Sequence, residues 1–288
     1  MKNKIFALAL SAFTAALFVA CSADDGGATP GGDSQPVATM YSYATTLPYN
    51  ADNDVQVRVA VNNQVNAVYL FAEKTETYDE NFAALGEAGY KDYVIEHGTK
   101  LDELNDQYVD SIFTGLFGEW TISAVAVGKN NTKNMFKTTF LGLDWEDITD
   151  GIYNFGILNS RLGLESHPTT LQVCTTDETL FRFKDVYAEG YSLKFVVTDD
   201  TAVDEQGYKY NYCRVAPQQT AYAFGSYGAI SVRDIAYWQG GDDWIFDYPC
   251  FIYLDDYYAK FMLQHYVSAG SLGYNAYDVF IPASYYEE

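Results

Sequence analysis

Short segments in which apolar and polar side chains alternate follow one another along most of this chain. Val55–Val61 and Trp120–Val127 are the clearest examples. A period of two places every second side chain on the same face, as in a half-buried β-strand. Aromatic residues make up 17% of the sequence, including 26 Tyr and 18 Phe, and this composition also favours strands over helices. We therefore predict a mainly β protein built from two β-sandwich-like domains.

The strand pattern divides into two predicted domains, residues 41–143 and residues 144–288. In the first domain the period changes between Asp79 and Gly89, where Asp79 is a suitable N-cap, so the sandwich is predicted to carry a short helical insertion. In the second domain short strands follow one another with Gly and Asp turns, and Trp244–Leu254 is predicted to be one of them. This pattern is typical of a sandwich or a barrel, and both remain open.

The first 40 residues have a different character. Ile5–Ala20 is an uncharged apolar run of 16 residues, shorter than the roughly 20 needed to cross a bilayer. It ends at Cys21, and the sequence around this junction resembles the lipobox of bacterial lipoproteins, in which cleavage precedes a lipid-carrying cysteine. We predict a signal peptide over residues 1–20, lipidation of Cys21, and a flexible tether over residues 21–40, which are too polar to offset their chain entropy.

Two further segments resemble surface lipoproteins of Bacteroidetes. Ser22-Ala23-Asp24-Asp25 is similar to the acidic tag of lipoproteins that are displayed on the outer face of the outer membrane. Leu171–Val173 and Leu180–Tyr187 are similar to the C-terminal module of uncharacterised lipoproteins from the same group. The resemblance implies a protein attached to the outer membrane through its N-terminal lipid and facing the exterior. It implies no activity.

The first domain also has a family resemblance. Thr114-Gly115-Leu116, followed by a strand that begins with Trp120, is similar to the Gly-Leu turn and aromatic-led strand of fibronectin type III modules. The resemblance covers about 100 residues, which is the usual length of one such sandwich. It implies a fibronectin III or immunoglobulin-like fold for residues 41–143.

Charge and cysteine content exclude several classes of function. The formal net charge of -22 would repel nucleic acid, so we predict no nucleic-acid partner. If Cys21 carries lipid, Cys174, Cys213 and Cys250 remain, which allows one disulfide at most or three buried thiols. The sequence has no zinc-type spacing, dinucleotide fingerprint or nucleophile elbow, so we predict no metal, no cofactor and no catalytic residues.

The most distinctive stretch runs from Tyr237 to Tyr248. Its Gly-Gly-Asp-Asp centre is predicted to form a turn between two strands. Flat indole rings stack on the apolar faces of sugars, and polar side chains beside them bind hydroxyl groups. The alternative is a cross-strand pair of indoles that faces the core. The candidate ligand-binding residues are Trp238, Gln239, Asp242, Asp243 and Trp244.

These features together predict a lipid-anchored cell-surface binding protein for a glycan or another extracellular ligand, such as a surface protein. The alternative is a fimbrillin-like adhesive or structural subunit, which is also lipidated and built from β-sandwiches. A glycoside hydrolase is a third hypothesis, since it needs only two facing carboxylates about 5–10 Å apart. The acidic residues that lie near aromatic residues are Asp242, Asp243, Asp247, Asp255 and Asp256.

Overall fold

The computed structural model describes residues 35–46, 48–101 and 108–286, and this part of the chain is mainly β-structure. The predicted signal peptide, Cys21 and most of the predicted tether lie outside the described residues. The chain divides between Asp144 and Trp145 into two compact units, which are described separately.

The first unit contains two antiparallel sheets. Its described strands are β1 (Ala38–Ala44), β2 (Val55–Val61), β3 (Val65–Lys74), β4 (Thr99–Lys100), β5 (Tyr108–Phe113), β6 (Gly118–Gly128) and β7 (Lys133–Gly142). One sheet has the order β1-β2-β5 and the other has the order β4-β3-β6-β7. The two sheets therefore alternate along the chain and are not formed one after the other.

The two sheets share one hydrophobic core. The inward side chains of β2, including Val57 and Val59, are fully buried in the same cluster as Ile122 and Ala124 of β6. Burial of alternate residues on both sheets is what the period-two pattern predicts for sheets packed face to face. Strand β1 begins at Ala38, so the last three residues of the stretch predicted to be a tether belong to this sheet.

The helical insertion is longer than the sequence predicted. Helix α1 (Thr75–His97) has 23 residues and connects β3 to β4, whereas the prediction began at Asp79 and ended near Gly89. Asp79 is therefore an interior residue and not the N-cap. Gly86, with φ of 64° and ψ of 171°, separates two helical segments. The aromatic residues of α1 bury one face of the helix against β3 and β6.

A buried carboxylate fastens helix α1 to the sheet. The hydroxyl of Tyr90 donates to Glu73 on β3, and the Asn81 amide donates to the second Glu73 oxygen over 2.7 Å. Tyr90 is fully buried, and burial together with the Glu73 carboxylate raises the pKa of its hydroxyl above the ordinary value. The hydroxyl therefore stays protonated and donates throughout the physiological pH range.

The second unit contains eleven described strands, all paired antiparallel. They are β8 (Trp145–Asn154), β9 (Ser166–Cys174), β10 (Asp177–Ala188), β11 (Tyr191–Val203), β12 (Lys209–Arg214), β13 (Gln218–Ala223), β14 (Ala229–Asp234), β15 (Cys250–Ile252), β16 (Ala259–Val267), β17 (Gly270–Gly273) and β18 (Tyr277–Pro282). A short helix, α2 (Ile157–Leu162), follows β8. Strand β8 ends at Asn154, and Gly156 leads directly into α2.

Eight of these strands close into a barrel in the order β8-β9-β10-β11-β12-β15-β16-β18, and β18 pairs back onto β8. Strands β14 and β17 pair with the second half of β16, and β13 pairs with β14. The predicted second sandwich is therefore wrong, and the barrel alternative describes this unit. Alternation alone could not separate the two, because a strand buried on one face has the same pattern in both folds.

Aromatic rings fill the interior of the barrel. The Phe183 ring centroid lies 4.8–5.6 Å from those of Tyr153, Phe195, Phe261 and Phe280, which come from four other strands. Such ring pairs add about 0.5–1.5 kcal/mol each beyond the area they bury. The interior is therefore a packed core at this level.

The three cysteines of this unit, Cys174, Cys213 and Cys250, are buried and unpaired. The sequence had left open whether two of them form a disulfide. Burial raises the pKa of the Cys213 and Cys250 thiols well above the ordinary value, which makes these two thiols poor nucleophiles.

Two buried titratable groups of the barrel have shifted pKa values of opposite sign. Asp278 on β18 accepts hydrogen bonds of 2.8 Å from the Tyr153 hydroxyl and the Gly156 N–H. Burial nevertheless raises the pKa of Asp278 to about 7. His265 on β16 is fully buried, neither ring nitrogen has a hydrogen-bond partner among the described residues, and burial lowers its pKa to about 3.

These shifts predict opposite effects of pH on stability. The folded protein keeps the Asp278 proton that the unfolded chain loses between about pH 4 and 7, so this group makes stability fall as pH rises. In the unfolded chain His265 becomes protonated below about pH 6.5, whereas in the folded protein it stays neutral down to about pH 3. This group therefore makes stability fall as pH falls.

We expect Asp278→Asn to remove the first effect and His265→Leu to remove the second. The free energy of unfolding of Asp278→Asn should rise relative to that of the parent as pH increases from 4 to 7. That of His265→Leu should rise relative to the parent as pH falls from 6.5 to 4. Urea unfolding of the parent and both variants across this range measures these differences. Parallel pH profiles for all three proteins would contradict the assignment.

Candidate functional site

The segment that carries the predicted ligand-binding residues is helical. Helix α3 (Ile235–Gln239) follows β14, and helix α4 (Trp244–Asp247) precedes β15. The predicted turn between two strands is therefore wrong, and of the predicted strand Trp244–Leu254 only Cys250–Ile252 is a strand. The Asp234 side chain accepts the Tyr237 N–H over 2.7 Å and caps α3. Gly240 ends the helix in the left-handed region with φ of 77°, which glycine adopts readily.

The two tryptophans are connected through two tyrosines. Ring centroids are 5.1 Å apart for Trp238 and Tyr274, 5.8 Å for Tyr274 and Tyr248, and 5.9 Å for Tyr248 and Trp244. Trp244 is 38% exposed, and the other three rings are partly exposed. We call these four residues the aromatic patch. The alternative of a buried cross-strand pair is wrong, because the tryptophans lie on two helices and neither is buried.

A buried arginine attaches this segment to the barrel. The side chain of Arg214, at the end of β12, donates to Asp234 over 2.8 Å and to Asp242 over 2.6 Å. Its guanidinium carbon lies 4.7 Å from the centre of the Tyr237 ring. Burial by itself would lower the pKa of Arg214, but its attraction to Asp234 and Asp242 raises it above the ordinary value. The guanidinium is therefore charged and bridges the start of α3 to the loop before α4.

The predicted polar residues are exposed and lie next to the two tryptophans in the sequence. Asp242 gives one oxygen to Arg214, and its side chain is still 67% exposed. Gln239 and Asp243 are exposed. The structure thus places all five predicted residues in one segment, with both tryptophans in the patch and three polar groups beside it in the sequence.

Three residues of this site were not found by sequence reasoning. Tyr248 lay inside the distinctive stretch but was not singled out. Tyr274 comes from the segment between β17 and β18, and Arg214 comes from the end of β12. No local pattern connects these positions, since strand pairing brings them to α3 and α4.

The site has the chemistry of a stacking surface. Four partly exposed rings offer flat apolar faces, and exposed carboxylate and amide groups can bind hydroxyl groups. Among the described residues, no group of three or more His, Cys, Asp or Glu side chains could hold a metal ion. No helix in the part of the chain that the structure describes is long and apolar enough to cross a membrane.

Comparison of the chain with protein-family models, curated proteins and solved structures found no match. Functional inference therefore depends on the residues themselves.

We expect Arg214→Met to increase local opening of residues 235–248. The substitution leaves Asp234, which is 1% exposed, as a buried carboxylate without its cation, and breaking such a pair costs about 3–5 kcal/mol. Hydrogen exchange of residues 235–248 should accelerate and the free energy of unfolding should fall. Asp242→Asn is the matched control, because it removes only the exposed partner and should cost about 0–1 kcal/mol. Equal losses in the two variants would show that the buried pair is not the anchor.

Proposed function

We propose that this protein is a lipid-anchored surface protein that binds a glycan through the aromatic patch. The observation that carries the proposal is the chain of four partly exposed rings from Trp238 to Trp244, bordered by exposed polar side chains. Rings that face solvent are not needed to fill the core, so their exposure favours a contact with a ligand.

The charge of the protein narrows the class of glycan. Asp242, Asp243 and Asp247 are exposed beside the aromatic patch, and the whole chain has a formal net charge of -22. Sulfated or uronic-acid glycans would be repelled at this surface. A neutral glycan, whose hydroxyl groups donate to these carboxylates, fits the site best.

We propose that the anchor is a lipid on Cys21 and that the protein faces the exterior of the outer membrane. Support comes from the apolar run that ends at Ala20 and from the acidic residues that follow the cysteine. In chain order the first unit lies between this anchor and the barrel. The first unit's sheets of three and four strands support a relationship to fibronectin type III modules. We propose that this unit acts as a spacer.

The lipid is tested by expression in a Gram-negative host with an alkyne-tagged fatty acid. We expect the parent chain to take up the label and to fractionate with membranes. Cys21→Ser should lose both the label and the membrane association, because the thiol is the attachment point. Cys174→Ser is the matched control and should keep both. Label that persists in Cys21→Ser would overturn the proposed anchor.

Glycan binding is tested by affinity electrophoresis through neutral glucans, mannans and xylans, with dextran sulfate as the anionic comparison. We expect retardation by a neutral polymer and none by dextran sulfate. The double variant Trp238→Ala/Trp244→Ala removes two stacking faces and should bind roughly tenfold more weakly. Tyr227→Ala removes an aromatic residue that is 56% exposed elsewhere in the unit and should have no effect. Unretarded migration of the parent chain in every neutral polymer would refute the proposal.

A further inference from the structure

A second set of aromatic rings lies on the outer wall of the barrel. On β12 the inward Cys213 belongs to the core, so Tyr210 and Tyr212 project from the opposite face. On β15 the inward Cys250 and Ile252 flank Phe251, which projects outward. The ring centroids of Tyr210 lie 5.4 Å from Tyr212 and 4.6 Å from Phe251, so the three rings are in contact across the two strands.

This set continues in both directions. Beyond β15, Tyr253 lies 5.7 Å from Phe251, Tyr258 lies 6.1 Å from Tyr253, and Tyr285 lies 5.9 Å from Tyr258. In the other direction, Phe246 of α4 lies 5.1 Å from Tyr212. Its two ends, Phe246 and Tyr285, are each 52% exposed, and Tyr210, Phe251, Tyr253 and Tyr258 are partly exposed. Tyr212 is 8% exposed and packs against Ala236 and Ile245, so it links Phe246 to the other rings and offers no free face. We call this chain of seven rings the aromatic strip.

Helix α4 connects the aromatic strip to the aromatic patch. Trp244 belongs to the patch, Phe246 belongs to the strip, and Ile245 between them is 4% exposed. Successive residues of an α-helix are about 100° apart, so an inward Ile245 directs its two neighbours to either side. The aromatic patch and the aromatic strip therefore lie on either side of helix α4.

Carboxylates hold two rings of the strip in place. The Tyr253 hydroxyl donates to Asp204 over 2.9 Å, and the Tyr285 hydroxyl donates to Asp256 over 2.5 Å. The hydrogen bond to Asp256 raises the pKa of Tyr285 to about 12, so its hydroxyl stays protonated and the bond persists at neutral pH. Rings fixed in this way lose little conformational entropy when a ligand stacks on them.

We propose that the aromatic patch and the aromatic strip form one extended surface for an unbranched, uncharged polysaccharide, an inference that rests on the proposed glycan-binding function. A polymer with a repeating apolar face matches a series of rings. A protein partner matches it less well, because the core of a protein interface is depleted of charged residues and two aspartates contact these rings. Asp204 and Asp256 accept hydrogen bonds from tyrosines of the strip, and their charge disfavours a polyanion, as the carboxylates near the patch do. The surface thus selects chain length as well as charge.

The inference is tested with oligosaccharides of increasing length. They are cut from whichever neutral glucan, mannan or xylan retards the parent protein in affinity electrophoresis. The affinity of the parent protein, measured by titration calorimetry, should keep rising with oligosaccharide length beyond the size that the patch alone accommodates. The double variant Phe246→Ala/Tyr285→Ala should leave the affinity for the shortest bound oligosaccharide unchanged and weaken polymer binding roughly tenfold. Tyr227→Ala should behave as the parent at every length.

Hydroxyl-radical footprinting of the parent protein gives a second measurement that needs no variant. The polymer should protect Phe246 and Tyr285 from oxidation, whereas Tyr227 should stay reactive. If Trp238→Ala/Trp244→Ala loses binding, the strip variant binds polymer normally, and Phe246 and Tyr285 of the parent stay unprotected, the extended surface is refuted and the glycan-binding function stands. If no neutral polymer binds the parent chain, the proposed function and the extended surface both fail.

Discussion

Closure of the barrel depends on strand β18, which pairs with β8 on one side and with β16 on the other. Two of its inward side chains reinforce this closure in different ways. Phe280 packs 4.8 Å from Phe183, and Asp278 accepts hydrogen bonds from Tyr153 and Gly156. A closed ring fixes which side of every strand faces the core, and so it also fixes which residues face solvent.

That division distributes the aromatic residues of the second unit between the core and the outer wall. Most interior rings are phenylalanines, such as Phe183 and Phe261, and two buried tyrosines, Tyr153 and Tyr187, lie among them. Tyrosines dominate the outer wall, because their rings can pack side by side while their hydroxyl groups reach carboxylates or water. Tyr253 and Tyr285 show this arrangement, each with its hydroxyl on an aspartate. The high tyrosine content is thus largely a property of the surface.

Sequence patterns predicted strands well where one face is buried. The pattern over Val55–Val61 gave the bounds of β2 without error, because each buried valine alternates with a more exposed residue. Barrel closure was beyond this reasoning, since β8 and β18 pair across more than 100 residues of sequence. The same limit applies to the site. Trp238 and Trp244 stood out as residue types, but their partner Tyr274 comes from a distant segment that only the fold brings near.

The conformation of the site segment was predicted wrongly for a local reason that also bears on its function. Glycine and aspartate form hairpin turns and helix ends equally well, and here Gly240 ends a helix. Two helices this short are not stable on their own in water. The buried pair of Arg214 and Asp234 holds them on the barrel wall, and its cation reaches Asp242 in the loop between them. Packing of the buried Ala236 and Ile245 against Tyr212 adds a second attachment, so both charge and apolar burial position the rings of the aromatic patch.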